Sequence, residues 1–271
     1  MKVSVISTVY NGEAFLDKAL PSILNQTHVD FDYIIIDDGS TDNTYEKLKE
    51  FEQLDSRIKV FSFGRLGRAN ALNKAVSLCS TEIIFQQDFD DVSESIRIER
   101  QLNYMLENEN VGVCGAFYYI DDTNRHEKYI RMFPQEHPDL VRMFSKCVPI
   151  AHTVACFRKK AWKDAGGYPV RDDIEDLELW IKMCEKGWKV ATVGEVLGTH
   201  YVYPTSFWHK NYSYKSRQKR LSVVQFMAVR ELRLPFYYYL FPLGRLLYGY
   251  FPVKIKKHIR RFIGGSNEKD V

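Results

Sequence analysis

Four short β-branched runs, each separated from the next by a helical apolar pattern, constrain this chain more than any other feature. VSVISTV (3–9), YIIID (33–37), IKVFSF (58–63) and EIIFQ (82–86) each read as a buried strand. Between the first two, Phe15, Leu16, Ala19, Leu20, Ile23 and Leu24 recur at helical spacing, with Pro21 inside and expected to bend the helix. STDNTYEKLKEF reads as a cap followed by a helix, and Ala69, Leu72, Asn73, Ala75 and Val76 predict another after Gly67. Strands alternating with helices at this spacing predict an α/β fold with a parallel sheet. Such sheets bind ligands beyond the carboxyl ends of their strands, where strand order reverses. The aspartates at 37–38 and 88–91 follow strand ends, so they are expected to face one crevice.

Past residue 110 the pattern loosens. VGVCGAFYYID and TVACFRK read as strands, AWKDAGG as a short helix with a glycine stop, and IEDLELWIKMCEKG as a helix ending at Gly187. No linker separates this half from the first, so residues 1–208 are expected to form one body, with 209–271 a C-terminal helical extension. The five cysteines are scattered, odd in number and without CxxC spacing, which points to reduced thiols rather than a zinc site or disulfide framework. MKVSVISTVYNG reads as a short strand without a signal-peptide cleavage pattern, too short to span a membrane. A cytoplasmic protein is the resulting expectation. The lack of GxGxxG after the first strand speaks against a dinucleotide-dependent oxidoreductase.

Carboxylates carry the chemistry. Asp88-Phe89-Asp90-Asp91 closes an apolar strand on three like charges, which repel unless something cationic joins them. Oxygen ligands at a strand end suit Mg²⁺ or Mn²⁺, and magnesium takes one or two carboxylates and completes its shell with water and substrate phosphates. The alternative is a solvated acidic turn, with Asp91 or Ser93 capping the next helix. IDDGSTDNT (36–44) is either an Asx turn with an N-cap or a loop whose Asp37 or Asp38 accepts hydrogen bonds from a base or ribose. RDDIEDLELW (171–180) gathers five acids near a helix start; Asp172, Asp173 and Glu178 suit the helix dipole, while one carboxylate facing the crevice would suit a general base.

In order and spacing these motifs resemble the family 2 glycosyltransferases of the GT-A fold. VSVISTVYNGEAFLDKALPSILNQT resembles that family's opening strand and helix, IIIDDGSTDNT its nucleotide-binding loop, and RLGRANALNKAV its glycine-to-asparagine segment. QDFDD stands where its paired aspartates lie, and HTVACFRKKAWKDAGGY with EDLELWIKMCEKG is similar to its acceptor region; the likeness covers about residues 1 to 200. The resemblance implies a nucleotide-diphospho-sugar transferase with a mostly parallel central sheet flanked by helices. It implies that Thr8 and Tyr10 line the base pocket and Asp38 bonds the base. Asp88 would contact ribose or donor sugar, Asp90 would bind a Mg²⁺ or Mn²⁺ bridging the diphosphate, and Asp176 would be the base of an inverting transfer. Gly67 and Asn73 carry over as donor-side residues, and His152 and Glu175 as acceptor-side ones. Two departures stand out: Pro21 interrupts the first helix, and Phe89 replaces a small residue, which would narrow the donor pocket. His200 is read as a structural histidine or a further metal ligand. Trp180 and Trp188 are expected in the core, as is Trp208, which could otherwise stack a sugar ring. The other classes weighed are a non-catalytic nucleotide-sugar-binding scaffold and a metal-dependent nucleotidyltransferase.

Charge is uneven along the chain. Residues 209–271 hold fourteen Lys/Arg against three Asp/Glu, or +11, leaving −8 on residues 1–208 of a total of +3. LPFYYYLFPLGRLLYGYFPVKIKKHIRRF (234–262) has no acid, and its prolines, glycines and Arg245 argue against a spanning helix. Aromatic anchors followed by a basic run describe an interfacial segment on an anionic membrane surface, which suits a lipid-linked or glycan acceptor. The alternative is a helical hairpin packed on the body. Nucleic acid is disfavoured because the body is acidic.

Overall fold

The computed structural model describes residues 1–170, 173–203 and 213–252. Its first half realises the expected alternation. β1 (Val3–Val9), α1 (Leu16–Leu24), β2 (Phe31–Asp37), α2 (Thr44–Leu54), β3 (Ile58–Ser62), α3 (Arg68–Leu78) and β4 (Ile83–Gln86) follow in turn. β2 and β4 are buried along their whole length, as strands covered on both faces must be. α1 runs unbroken through Pro21, with Leu16, Ala19, Leu20 and Ile23 buried on its inner face. The N-cap residue of α2 is Asn43, without a side-chain cap bond, and Asp42 just before it accepts from the Thr44 N–H at 3.1 Å.

The second half adds β5 (Val92–Ser93), α4 (Arg97–Glu107), β6 (Val111–Asp122), β7 (Glu127–Arg131), α5 (His137–Met143), β8 (Cys156–Arg158), α6 (Lys159–Asp164), α7 (Glu175–Glu185) and β9 (Lys189–Val202). The TVACFRK strand is shorter than expected, because residues 152–154 form a 3-10 turn that carries His152. β9 was not foreseen: Gly194 and Gly198 interrupt its alternation, and its pairing with β6 shifts register. Neither Asp91 nor Ser93 caps α4, whose N-cap residue is Ile96 with no side-chain cap.

All nine strands of the described residues join one sheet, in the order β3-β2-β1-β4-β8-β6-β9-β5, with β7 on β6. β3, β2, β1 and β4 are mutually parallel, and β8 is antiparallel to β4 and β6. Strand order reverses at β1, which lies between β2 and β4. The crevice past the ends of β1 and β4 is therefore the ligand position for a sheet of this kind. All five cysteines are free thiols. Trp180 is fully buried and Trp188 packs against the core edge. Trp208 and Asp172 lie outside the described residues.

One buried cation fixes this end of the sheet. Arg97 is wholly inaccessible, and its five N–H donors meet five acceptors: Gln101, Gln87, Ser93 and the carbonyls of Gln86 and Ala155, at 2.7 to 3.1 Å. Burial lowers its pKa to about 10, so it stays charged at neutral pH. It clamps the loop after β4 to the approach of β8. The extension then begins with α8 (Tyr214–Glu231), whose Val224 and Ala228 enter the core, and continues through a 3-10 turn into α9 (Leu240–Tyr250). Arg97→Leu is expected to cost about 3–5 kcal/mol, because several buried acceptors lose their donor at once. A urea unfolding midpoint unchanged from that of the native chain would contradict this.

Candidate active site

The carboxyl ends of β2 and β4 and the start of α3 supply the residues of the crevice. Asp37 closes β2 as a turn former: it accepts from the N–H groups of Gly39 and Ser40 and from the Ser62 hydroxyl. Asp38 is buried and holds the segment leading into α3. It accepts from the N–H groups of Leu66 at 2.6 Å and Gly67 at 3.1 Å, and from the Arg65 guanidinium at 2.6 Å. Gly67 has a φ of 82°, a left-handed value open to glycine, which turns its N–H onto Asp38. Arg65 also lies over the exposed Tyr10 ring at 3.7 Å, a cation–π stack at the mouth of the expected base pocket. Thr8 lies half-buried near the end of β1.

Arg68, the first residue of α3, links the two acidic groups. Its Nε donates to Glu175 at 2.5 Å, and its Nη2 lies 2.9 Å from Asp88 and 3.0 Å from His152 Nδ1. His152 in turn sits 3.3 Å from Asp88 and 3.0 Å from the Tyr168 hydroxyl. Burial drives the Asp88 carboxyl upward, but Arg68 and then His152 outweigh it and hold the group well below the ordinary range. Arg68 thus joins the loop after β4 to the N-terminus of α7. Sequence reasoning missed it, although an arginine directly after the left-handed glycine of a crevice-facing helix was a usable signal.

Asp90 and Asp91 divide the remaining work. Asp91 accepts from His200 Nδ1 at 2.9 Å and the Tyr201 N–H at 2.8 Å. Burial would lower the pKa of His200, yet Asp91, with Asp90 and Asp88 behind it, raises it to about 9. Through its Nδ1, His200 is held in place by Asp91. Asp90 has no cationic side chain at hydrogen-bond distance among the described residues. Burial first, then the charges of Asp91 and Asp88, push its carboxyl to about 7. This is the donor a divalent cation fits: a desolvated carboxylate with unused lone pairs beside two that are satisfied. No set of three His, Cys, Asp or Glu side chains stands ready as a cage among the described residues. Phe89, expected to narrow the donor pocket, is instead buried in the hydrophobic core between its two aspartates.

Asp176 opens the first turn of α7, behind Ile174 at a φ of 56°. Its Oδ1 accepts from the Leu177 N–H at 2.7 Å. Burial, and next the neighbouring Glu175, raise it to about 6, against smaller opposing effects of His152 and Arg68. Asp173 meets Arg220 of α8 at 3.0 Å, and Glu178 meets Lys182 one turn on. Those two acids act through side-chain pairs rather than through the helix dipole alone. Asn73 is a brace: its Oδ1 accepts from Tyr168 N and Trp162 Nε1, and its Nδ2 donates to Tyr168 O. With the amide committed in this way, it positions the segment before α7 instead of presenting a free group to a donor.

A parallel sheet with a reversal at β1, acids past β2 and β4, and a titratable acid leading α7 make this crevice a candidate ligand site. The chain matches the profile described as "Glycosyl transferase family 2" over residues 4–164 and that described as "Glycosyl transferase family group 2" over residues 88–258. It is similar to the O-antigen biosynthesis glycosyltransferase WbnJ of Escherichia coli, 32% identical over 183 residues, 67% of this chain and 71% of the relative. The putative glycosyltransferase EpsE of Bacillus subtilis is 27% identical over 94% of this chain and 91% of its own. Among solved structures, S. aureus TarS 1-349 in complex with UDP-GlcNAc superposes with a TM-score of 0.68 at 16% identity, over 99% of this chain and 77% of that one. Mannosyltransferase PcManGT from Pyrobaculum calidifontis in complex with GDP-Man and Mn²⁺ gives 0.65 at 15%, over 97% and 80%. The chain belongs to glycosyltransferase family 2. Its fold is GT-A, and its activity is that of a glycosyltransferase.

The position of Asp90 sets a measurable sign. The folded protein keeps this proton up to about pH 7, whereas the unfolded chain releases it near the ordinary 3.8, so stability falls as pH rises through that window. In EDTA, Asp90→Asn is expected to raise Tm by a few degrees at about pH 8, the effect of about 1 kcal/mol in a domain of this size. The advantage should shrink as pH falls below 7 and vanish near the ordinary aspartate value. An equal gain at every pH would show that Asp90 is not the strained group.

Proposed function

We propose that this glycosyltransferase moves a sugar from a nucleoside-diphosphate donor to an acceptor hydroxyl with inversion, in the assembly of a cell-surface polysaccharide or lipid-linked glycan. The observation that carries the reading is the Asp176 carboxyl, raised to about 6 and placed beside the Arg68–Glu175–Asp88 cluster. A carboxylate at that value is ionised at neutral pH yet basic enough to take a proton from a hydroxyl. The acceptor oxygen would attack the anomeric carbon, its proton passing to Asp176, while the bond from that carbon to the diphosphate oxygen breaks. One displacement inverts the configuration. Asp90 would hold a Mg²⁺ or Mn²⁺, which when bound neutralises charge on the diphosphate. Tyr10, Asp38 and Gly67 would receive the base and ribose, and Asp88 the donor sugar. His152 and Glu175 border the acceptor side. The relatives and neighbours whose names include O-antigen biosynthesis, chondroitin synthase, UDP-GlcNAc and GDP-Man support this class of donor and product.

A nucleotidyltransferase would use the same metal and paired acids but release pyrophosphate, and a non-catalytic scaffold would release nothing. With a donor panel and Mn²⁺, nucleoside diphosphate is the expected product. Asp176→Asn should lower turnover by about 10²–10⁴-fold while leaving donor binding intact. The acidic limb of the native rate profile should fall near pH 6 and disappear in that variant. Near-native rates in Asp176→Asn would remove it as the base. Asp90→Ala should abolish the Mn²⁺-dependent part of donor binding in calorimetry. Unchanged metal dependence there would move the ligand elsewhere.

A further inference from the structure

α9 is built inside out. Its charged residue turns inward: Arg245 donates to Gln225 at 2.9 Å, to Gln218 at 2.8 Å and to the Lys146 carbonyl at 2.6 Å. Its small residues also face the protein. Pro242 and Gly249 are buried, and a Cβ at Gly249 would stand 3.1 Å from Gln218 Cβ on α8. Its large apolar residues face out. Phe236, just before the helix, and Leu240, Leu247 and Tyr250 within it are 84%, 66%, 53% and 56% exposed, and Leu243 is exposed between them. Successive spacings of four, three, four and three place these five on a single stripe. Among the described residues nothing covers this stripe, on a helix whose polar group is already satisfied inside, and an apolar neighbour would bury it.

We propose that this stripe docks on an anionic lipid surface, with α9 lying in the plane of the interface. Charge selects the occupant. The segment from residue 209 on carries +11, and a second copy of the chain would bring the same charge again. An anionic leaflet complements them, at about 1 kcal/mol for each basic group near the surface. Cations flank the aromatic rings: Lys215 lies 3.9 Å from the Tyr250 ring, and Lys146 lies 4.5 Å from the Phe241 ring. In both pairs the ammonium group lies over the ring face, so positive charge sits directly beside the apolar surface. Length rules out crossing. Eleven residues of helix span about 16 Å against about 30 Å of hydrocarbon, and no helix among the described residues is long and apolar enough to cross a membrane.

The test is flotation of the full-length chain with phosphatidylcholine vesicles, with and without about one-third phosphatidylglycerol. The double variant Leu240→Glu/Leu247→Glu changes two exposed side chains away from the crevice, and circular dichroism and donor binding confirm that it folds. The native chain is expected to float with the anionic vesicles only, and the variant to bind them at least about tenfold more weakly. Absence of flotation by the native chain overturns the proposal. So does undiminished flotation of the variant, which would assign binding to the basic tail alone. A native dimer in lipid-free buffer that the variant converts to monomer would also overturn it, since the face would then join two copies of the chain.

Discussion

The guanidinium of Arg68 is the contact on which the crevice depends. Asp88, Glu175 and Asp176 arrive from two parts of the chain that have no reason to approach, since each brings negative charge into a partly desolvated space. A cation between Asp88 and Glu175 turns that repulsion into attraction. Burial works against the charge on Arg68, yet its two carboxylates more than compensate and bind its proton more firmly than in water. His152 completes the arrangement from a third element. The loop after β4 and the N-terminus of α7 therefore stand in fixed relation before any ligand enters.

Around this centre, satisfied and unsatisfied carboxylates have separate duties. Asp37, Asp38, Asp88 and Asp91 each accept from backbone or cationic donors and shape loops. Asp90 and Asp176 lack cationic partners at bonding distance among the described residues, and both carry raised pKa values. Strain concentrated in two groups, with paired carboxylates around them, is the pattern of a site that trades stability for chemistry. Arg97 and Asn73 make the trade tolerable by fixing the backbone beneath it.

Much of this was legible in advance because it rests on local periodicity. β1 to β4 and α1 to α3 declared themselves through runs of Val and Ile and through helical spacing of Leu and Ala, and the order of motifs led to the family. Where the reading failed, the deciding contact was one that residue type and period do not show. Phe89 looked like a pocket residue because its neighbours are ligand candidates, but the turn after β4 directs it into the core. Ser93 looked like a helix cap, yet its hydroxyl bonds Arg97 and Gln87. β9 hid behind Gly194 and Gly198, since glycine gives no sign of which face is buried. Asn73 looked like a donor contact until Tyr168 and Trp162 were seen to use its amide.

The linear sequence, by itself, determined the parallel half of the sheet, the strand ends that bear aspartates, and the basic, aromatic character of the extension. These follow from residue type at a fixed period, which neighbouring residues enforce. Only the tertiary structure decided which carboxylates are paired, because pairing requires residues such as Arg68 and Glu175 to meet across the fold. It alone decided, too, that α9 presents its leucines outward. Spacing marks a stripe on a helix, but the direction it faces depends on where Arg245 finds its acceptors.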